Sequence, residues 1–437
     1  MTESILPPIP PGREGLPAVG ETLAFLKNGF AFIEERNREF GPVFRSSILG
    51  RKSAIISGPD ACAVWIDKEK ICREDAQPAP IFKIFAGPSL PHLDNQAHAD
   101  RKMLVLSAFT REVLASYVPG LSDVIASSLD QWRGGEFDAM PAFKRLAIEG
   151  ICRNFLGLRG GSQLNAIVAD YTAVTRGIGA LPIAAPGTAF GKALAARDRL
   201  LAFFMETIRR RGFNSTGDGL SRIMQARLPN GTVITPEAMM RELHHIIIAG
   251  YIIFAEFAAS VIELNRKPEM RRRIEQEIAA HAGADPTIES LERMTYLMQF
   301  VMEVKRLTPI LPAIFGKAKK TFEFAGRTIP EGWMVLWALR ATLVEQSVYD
   351  NPLEFDPERF SPERAEHKRH PHAFVPHGPG SPSGHLCPGM DYATIFMKLF
   401  IVHLLKSGMT WSLAEPNPEY NWSLTPPEPR GGLKIRV

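Results

Sequence analysis

The stretch Phe374–Ala393, FVPHGPGSPSGHLCPGMDYA, carries a single cysteine on a loop rich in glycine, proline and serine. A segment with helical character, residues 390–406, follows at once, so Cys387 lies just before a predicted helix N-terminus. Unpaired backbone N–H groups and the positive end of the helix dipole point there. Both favour a thiolate, the form of cysteine that binds metals. Gly389 would let a bulky group approach the backbone closely.

This loop resembles the haem-binding loop of the cytochrome P450 superfamily. There, a phenylalanine, a glycine-rich turn, a basic residue, the ligand cysteine and a glycine follow in order. Residues 381–383 depart from the pattern as a short insertion, and His377 stands where the turn usually has an aromatic residue. The resemblance implies that Cys387 ligates iron and that His385 contacts a haem propionate; an ordinary buried thiol is the alternative. The matching residues are Phe374, Gly378, Gly380, His385, Cys387 and Gly389.

Composition narrows the class of protein. The chain has 437 residues, 45% hydrophobic and 22% charged, which is enough apolar material for a large core. Its net charge of +4 is too small to indicate a nucleic-acid partner. The N-terminal residues 1–17 contain no long apolar run, which predicts no signal peptide and no membrane anchor, and hence a soluble, cytoplasmic protein. The cysteines form no CxxC pair, which indicates a reducing compartment; they are Cys62, Cys72, Cys152 and Cys387.

The order of elements extends the resemblance along the chain. A predicted helix over residues 22–40 ends at Gly41-Pro42, and two strand-like runs follow within residues 43–57, a hairpin pattern. The resemblance implies the cytochrome P450 fold, mainly α with a small β region. It also implies one domain over residues 1–437, with its β-rich part at about residues 43–75 and 308–345 and helices elsewhere.

Residues 77–95 are rich in proline and lack periodicity, which predicts a long loop. In the family this region caps the substrate pocket, so Phe82 and Phe85 are candidate substrate contacts. A surface loop with incidental apolar residues is the alternative.

The next segment, residues 98–110, is a predicted helix with a basic face. His98 and Lys102 are four residues apart and therefore share that face. The resemblance implies that both pair with haem propionates, with Arg101 adjacent. Lys102 would act as a point charge rather than as a bidentate fork. Without the resemblance, the same residues would indicate a solvated helix face.

The longest apolar segment, residues 235–264, begins with a cap residue, a proline and an acid, which is a helix start. Its middle is apolar on nearly all sides, as in a helix buried in a large core. It resembles the family's central helix, which crosses above the haem, and Ala249 and Gly250 match the small pair beside the cofactor. The candidate substrate contacts on this helix are Ile248, Ile252 and Ile253.

Ile252 and Ile253 occupy the two positions where the family has an acid and an alcohol that relay protons to the cofactor. Two isoleucines can neither donate a proton nor hold a water. Three activities therefore stay open: a monooxygenase with an unusual proton route, a peroxide-using peroxygenase, and the rearrangement of an already oxygenated substrate. Glu256 and His245 are alternative polar groups, for which structural roles are favoured.

Glu303 and Arg306 lie three residues apart on a predicted helix and can pair. The same spacing recurs elsewhere, so only its place before the FDPERF segment, residues 355–360, selects it. The resemblance implies a buried structural triad with Arg359. Where the family has an arginine beside a propionate, this chain has a glycine followed by Lys317, the candidate replacement. Leu311 and Ile314 would then face the substrate.

The resemblance implies one b-type haem whose iron is held by the Cys387 thiolate. The expected activity is that of a haem-thiolate oxidoreductase, a monooxygenase that hydroxylates or epoxidises a hydrophobic terpenoid, retinoid-like or fatty molecule. No redox domain is fused to the chain, so the expected electron donors are ferredoxin and ferredoxin reductase or similar partners of a monomeric enzyme. A haem carrier or sensor without turnover is the alternative from another class.

Overall fold

The computed structural model describes residues 6–212, 214 and 216–437. The first five residues of the segment predicted to lack a signal or anchor lie outside these ranges. Helices dominate the described residues, which confirms the predicted mainly α fold with a small β region. The helices are α1 Thr22–Asn28, α2 Phe30–Phe40, α3 Pro59–Ile66, α4 Ala79–Ile84, α5 Asn95–Leu106, α6 Arg111–Trp132, α7 Ala139–Leu156, α8 Gly161–Ile178, α9 Ala189–Arg211, α10 Gly219–Gln225, α11 Pro236–Tyr251, α12 Phe254–Arg266, α13 Pro268–His281, α14 Ile288–Arg293, α15 Thr295–Leu307, α16 Leu339–Leu343 and α17 Met390–Lys406.

The main sheet has five strands in the order β1-β2-β8-β5-β3. β1 and β2 form the predicted hairpin, with Val43 opposite Ile56. β2 pairs with β8 in parallel, and β5 pairs with β8 antiparallel. Shorter strands also occur outside the predicted β-rich ranges. The sequence did not predict them, because strands of two or three residues are too short to show alternation. The strands are β1 Val43–Ile48, β2 Arg51–Ile56, β3 Ile71–Cys72, β4 Glu136–Asp138, β5 Ala313–Ala318, β6 Phe322–Phe324, β7 Arg327–Ile329, β8 Met334–Ala338, β9 Ser412–Leu413, β10 Tyr420–Asn421, β11 Glu428–Pro429 and β12 Lys434–Arg436.

The cysteine loop joins two separate apolar cores. A large helical core is built by α6, α7, α11, α12, α15 and α17, among others. A smaller core lies against the sheet, with Trp65 and Trp337 6.2 Å apart. Phe374 and Val375, at the start of the loop, pack on the sheet core, while α17 lies in the helical core. Burial at both ends therefore holds the intervening loop in place.

The structure corrects the prediction for residues 77–95. Instead of a continuous loop, they contain α4 and a short 3-10 helix, Leu90–His92. The prolines near the start of α4 are compatible with a first helical turn, where a backbone N–H would be unpaired in any case. Proline content therefore misled the prediction.

The central helix is also interrupted, although the sequence predicted a continuous one. The break falls at Ile252 and Ile253, between α11 and α12. There the Ala255 amide donates to the Ile252 carbonyl at 3.3 Å and the Glu256 amide to the Ile253 carbonyl at 2.9 Å, three residues apart as in a tighter turn. Residues 236–266 are long and apolar enough to cross a membrane, but 83% of their most apolar window is buried in the fold. Core helices of soluble proteins share these properties.

Candidate haem site

The loop before Cys387 turns on two glycines with left-handed backbone angles. Gly378 has φ +86° and Gly380 has φ +111°, a region that residues with a side chain seldom adopt. The apparent insertion, residues 381–383, is an exposed turn closed by a 2.9 Å bond from the Gly384 amide to the Ser381 carbonyl. Its three residues point towards solvent.

Cys387 is half-buried and lies two residues before the N-cap Gly389 of α17. Burial raises the pKa of its thiol, while a hydrogen bond from the Gly389 amide and the charges of Lys102 and Lys305 lower it. The helix end acts in the expected direction, but burial outweighs it. A thiolate here therefore needs a bound cation. A Cβ on Gly389 would lie 4.0 Å from Cys387 Sγ, an ordinary contact distance, so glycine leaves this side of the sulfur without a side chain.

Three basic side chains converge beside the cysteine loop. The His98 and His385 rings lie 4.0 Å apart between centroids. Lys102 Nζ donates to the Gly384 carbonyl at 3.0 Å and also to the Leu386 carbonyl. Burial lowers the pKa of His98 to about 4, helped by the charges of His385 and Lys102. Burial also lowers the pKa of His385. The positive charge of this group at neutral pH therefore belongs to Lys102.

Two further predicted propionate contacts take different positions. Lys317, on β5, borders a cavity of about 200 Å³ that His98 and His385 also line. Arg101 points instead to the central helix, where its Nη1 lies 2.7 Å from Glu242 Oε1. Lys317 therefore lines the same cavity as the two histidines, whereas Arg101 forms an ion pair with Glu242.

The central helix presents Ala249 and Gly250 in different directions. Ala249 keeps partial exposure between two buried neighbours, Ile248 and Gly250. Gly250 faces α7, where a Cβ would lie 2.7 Å from the Ile151 side chain. Its small size therefore serves close packing of α11 against α7, which is a physical reason for glycine that the cofactor does not supply.

The candidate substrate contacts at residues 77–95 fold onto α11. Phe82 and Phe85 lie beside His92, with ring centroids 5.2 and 5.7 Å away. Phe85 also lies 6.5 Å from the ring of His245, on α11. This segment therefore covers the N-terminal half of the central helix.

The remaining candidate substrate contacts divide by burial. Ile252 and Ile314 are half-buried, and Leu311 is exposed. Ile248 and Ile253 are buried in the helical core. Helical phase separates them from the partly exposed face that carries Ala249 and Ile252, so the structure does not bring all five side chains to one space.

Glu303, Arg306 and Arg359 meet in a fully buried cluster. Arg306 Nε lies 2.7 Å from Glu303 Oε2, and Arg359 Nε lies 3.0 Å from Glu303 Oε1. Glu366 adds a second carboxylate, 2.8 Å from Arg359 Nη1. The four side chains have no solvent exposure, so each charge depends on its partners.

Three charged residues escaped the sequence-based prediction. Glu242, with no solvent exposure, ties Arg101 to the Leu90 amide. Asp94 accepts hydrogen bonds from two backbone amides and lies 3.7 Å from His385 Nε2. Lys305 is buried against α12. For Glu242 and Lys305, a signal was present in the sequence: each is a charge on the core-facing side of an apolar helix.

Comparison with known proteins agrees with this geometry. The sequence profile described as cytochrome P450 matches residues 10–431. A Synechocystis protein provisionally named cytochrome P450 120 is 30% identical over 98% of this chain and 97% of its own. Abscisic acid 8'-hydroxylase 2 of Oryza sativa subsp. indica is 28% identical over 98% of this chain and 86% of its own. The solved structure of retinoic acid-bound cyanobacterial CYP120A1 superimposes with a TM-score of 0.91, 28% identity and 99% coverage of both chains.

The fold and the family match define a haem-thiolate protein. The chain belongs to the cytochrome P450 family. Its cofactor is haem with a cysteine thiolate as axial iron ligand.

Proposed function

We propose that this protein is a monooxygenase that hydroxylates or epoxidises an extended, hydrophobic small molecule of terpenoid, retinoid-like or fatty type. The observation that carries the proposal is the partly exposed, apolar surface of Ala249 and Ile252 on the central helix. In this proposal that surface faces the haem. An apolar wall there selects apolar ligands and excludes water.

The proposal assigns separate roles to the haem and to the side chains around it. The haem supplies the oxidative chemistry, and its cysteine ligand favours O–O cleavage by donating electron density to iron. In this proposal Cys387 holds the iron, and Lys102, Lys317, His98 and His385 hold the propionate edge. The protein then orients the substrate and controls access of water and protons.

The names of two relatives support this substrate class. The rice relative is named for hydroxylating abscisic acid, and the cyanobacterial structure holds retinoic acid. The transfer of this substrate class to the present chain is part of the proposal. A ferredoxin and its reductase as electron donors are also part of it. The same holds for a monomeric state and for a cytoplasmic location.

A second candidate activity rests on Ile252 and Ile253. Because neither side chain at the helix break can relay a proton, hydrogen peroxide is a candidate oxidant that would arrive with its protons already bound. Rearrangement of an oxygenated substrate would need no such relay either.

The test is product formation by the purified holoprotein with retinoic or myristic acid as probe substrates. NADH with a ferredoxin and its reductase is compared with hydrogen peroxide alone, and products are identified by mass spectrometry. A product gaining one oxygen atom only with NADH and the redox partners supports the monooxygenase. Product with peroxide alone supports the peroxygenase. Tight binding of the probe with no product under either condition would support a haem carrier or sensor without turnover, and would overturn the proposal.

A further inference from the structure

From Arg241 onwards, one face of α11 keeps partial exposure while the other residues of the helix are buried. Arg241, His245, Ala249 and Ile252 make up this face, at spacings of four, four and three residues. The face changes from charged at Arg241 to apolar at Ile252. Between those residues the helix axis advances about 16 Å, which suits a long ligand better than a compact one.

The charged end of this face has unmet hydrogen-bonding capacity. Arg241 Nε, Glu242 Oε2 and His245 Nδ1 are buried and have no hydrogen-bond partner within the described residues. Glu242 Oε2 and His245 Nδ1 lie 3.5 Å apart, longer than a normal hydrogen bond. Buried polar groups are normally satisfied, so the two orphan nitrogens, Arg241 Nε and His245 Nδ1, indicate an acceptor supplied by a ligand.

The charges around this cluster leave one cation without a partner. Glu242 Oε1 is already occupied by the Arg101 guanidinium at 2.7 Å and by the Leu90 amide at 2.8 Å. Burial lowers the pKa of His92 and of His244 to about 4, so both rings are neutral at neutral pH. Arg241 forms no ion pair with any described residue, so its positive charge is free for an anion.

The segment containing α4 covers the cluster. A Cβ on Gly87 would lie 3.5 Å from Arg241 Nε, so the backbone passes directly over the guanidinium. Phe85 lies next to His245. The charged end is thus partly enclosed, which strengthens an electrostatic contact there relative to open solvent.

We propose that Arg241 and His245 bind the carboxylate of an extended apolar substrate whose chain follows Ala249 and Ile252 towards the haem. This inference rests on the proposed function and makes the substrate class narrower, a long apolar acid. A carboxylate can accept a charge-assisted hydrogen bond from Arg241 and a second bond from His245. The matching alcohol lacks the charge and pairs less strongly.

The test is a binding titration of the ferric holoprotein, read from the ligand-induced shift of its absorption spectrum. The probes are two matched pairs, retinoic acid with retinol and myristic acid with 1-tetradecanol. We expect the wild type to prefer each acid by about tenfold or more. Arg241→Ala removes this preference while affinity for the alcohols stays unchanged, and Arg241→Lys retains part of it. Arg272→Ala, on the exposed face of α13, is the matched control and retains it fully.

Equal affinity of acid and alcohol in the wild type overturns the inference, as does a preference that survives Arg241→Ala. The readout is binding without turnover, so it fails separately from the proposed activity. An enzyme that oxidises the alcohols as well as the acids and shows no acid preference would keep the proposed function and lose this inference. A preference for acids without any product would do the reverse.

Discussion

Lys305 Nζ, on α15, lies 3.1 Å from Glu256 Oε2, one turn beyond the break in the central helix. Both side chains are almost fully buried. Their charges act on the Cys387 thiol in opposite directions, since Lys305 lowers its pKa and Glu256 raises it. The pair therefore joins the broken helix, α15 and the electrostatic surroundings of the cysteine.

Removing one member of this pair is expected to destabilise the protein. Lys305→Met leaves Glu256 buried and uncompensated, at a cost of about 3–5 kcal/mol. The double change Glu256→Leu with Lys305→Met is expected to be close to neutral, because the desolvation penalty disappears with both charges. Urea unfolding of Lys305→Met, Glu256→Leu, the double variant and the wild type measures the difference.

The control for this prediction is an exposed ion pair. Arg111→Ala removes the contact of Arg111 with Glu292 at the surface and is expected to leave the unfolding midpoint unchanged. A double variant that is less stable than either single variant would contradict the argument from desolvation.

Replacing Cys387 with alanine is expected to abolish the absorption signature of thiolate-ligated haem. The other described cysteines are free: Cys62 and Cys152 are buried in the two apolar cores, and Cys72 borders the cavity that His385 also lines. The ferrous–CO spectrum of the purified protein measures this. Cys72→Ala, on β3, is the matched control and should keep the wild-type spectrum. A thiolate-type spectrum in Cys387→Ala would disprove the assignment of the ligand.

Introducing an acid at the helix break is expected to improve the use of dioxygen. Ile252→Glu places a proton-relaying group on the partly exposed face of the helix, and general acid catalysis typically contributes about 100-fold or more. The product formed per NADH consumed should rise, whereas the peroxide-driven rate should not. Ile248→Val, on the buried side of the same helix, controls for loss of packing. An unchanged yield would show that protons reach the cofactor by a route that the break does not control.

Stability is expected to fall in mild acid because of His244. Its Nε2 lies 3.0 Å from the Ile84 carbonyl, and burial lowers its pKa from 6.5 to about 4. The unfolded chain therefore binds this proton more readily than the folded one. The stabilisation is complete above pH 6.5 and is lost as pH falls towards 4, by up to about 3 kcal/mol.

Urea unfolding between pH 7.5 and 4 measures this dependence. His244→Gln should be less stable at neutral pH but show a flatter profile in this window. His281→Gln, at the end of α13, should retain the wild-type slope. Equal slopes in the wild type and His244→Gln would contradict the role of His244.

Local patterns in the sequence predicted the features that depend on neighbouring residues. The hairpin of β1 and β2, the start of the central helix and the position of Cys387 before α17 follow from turn residues, a cap and apolar periodicity. The prediction of a loop over residues 77–95 was wrong in part, because prolines suit a first helical turn as well as a loop. The break at Ile252 depends on packing, which no local pattern reports.

The sequence by itself determined the fold class and the family, since these follow from motif order and apolar patterning along the chain. Only the tertiary structure decided how buried charges are paired: Arg101 with Glu242, and Lys305 with Glu256. These pairs join residues 141 and 49 positions apart. The energy of a buried charge depends on the atoms around it in space, and a distance along the chain does not specify those atoms.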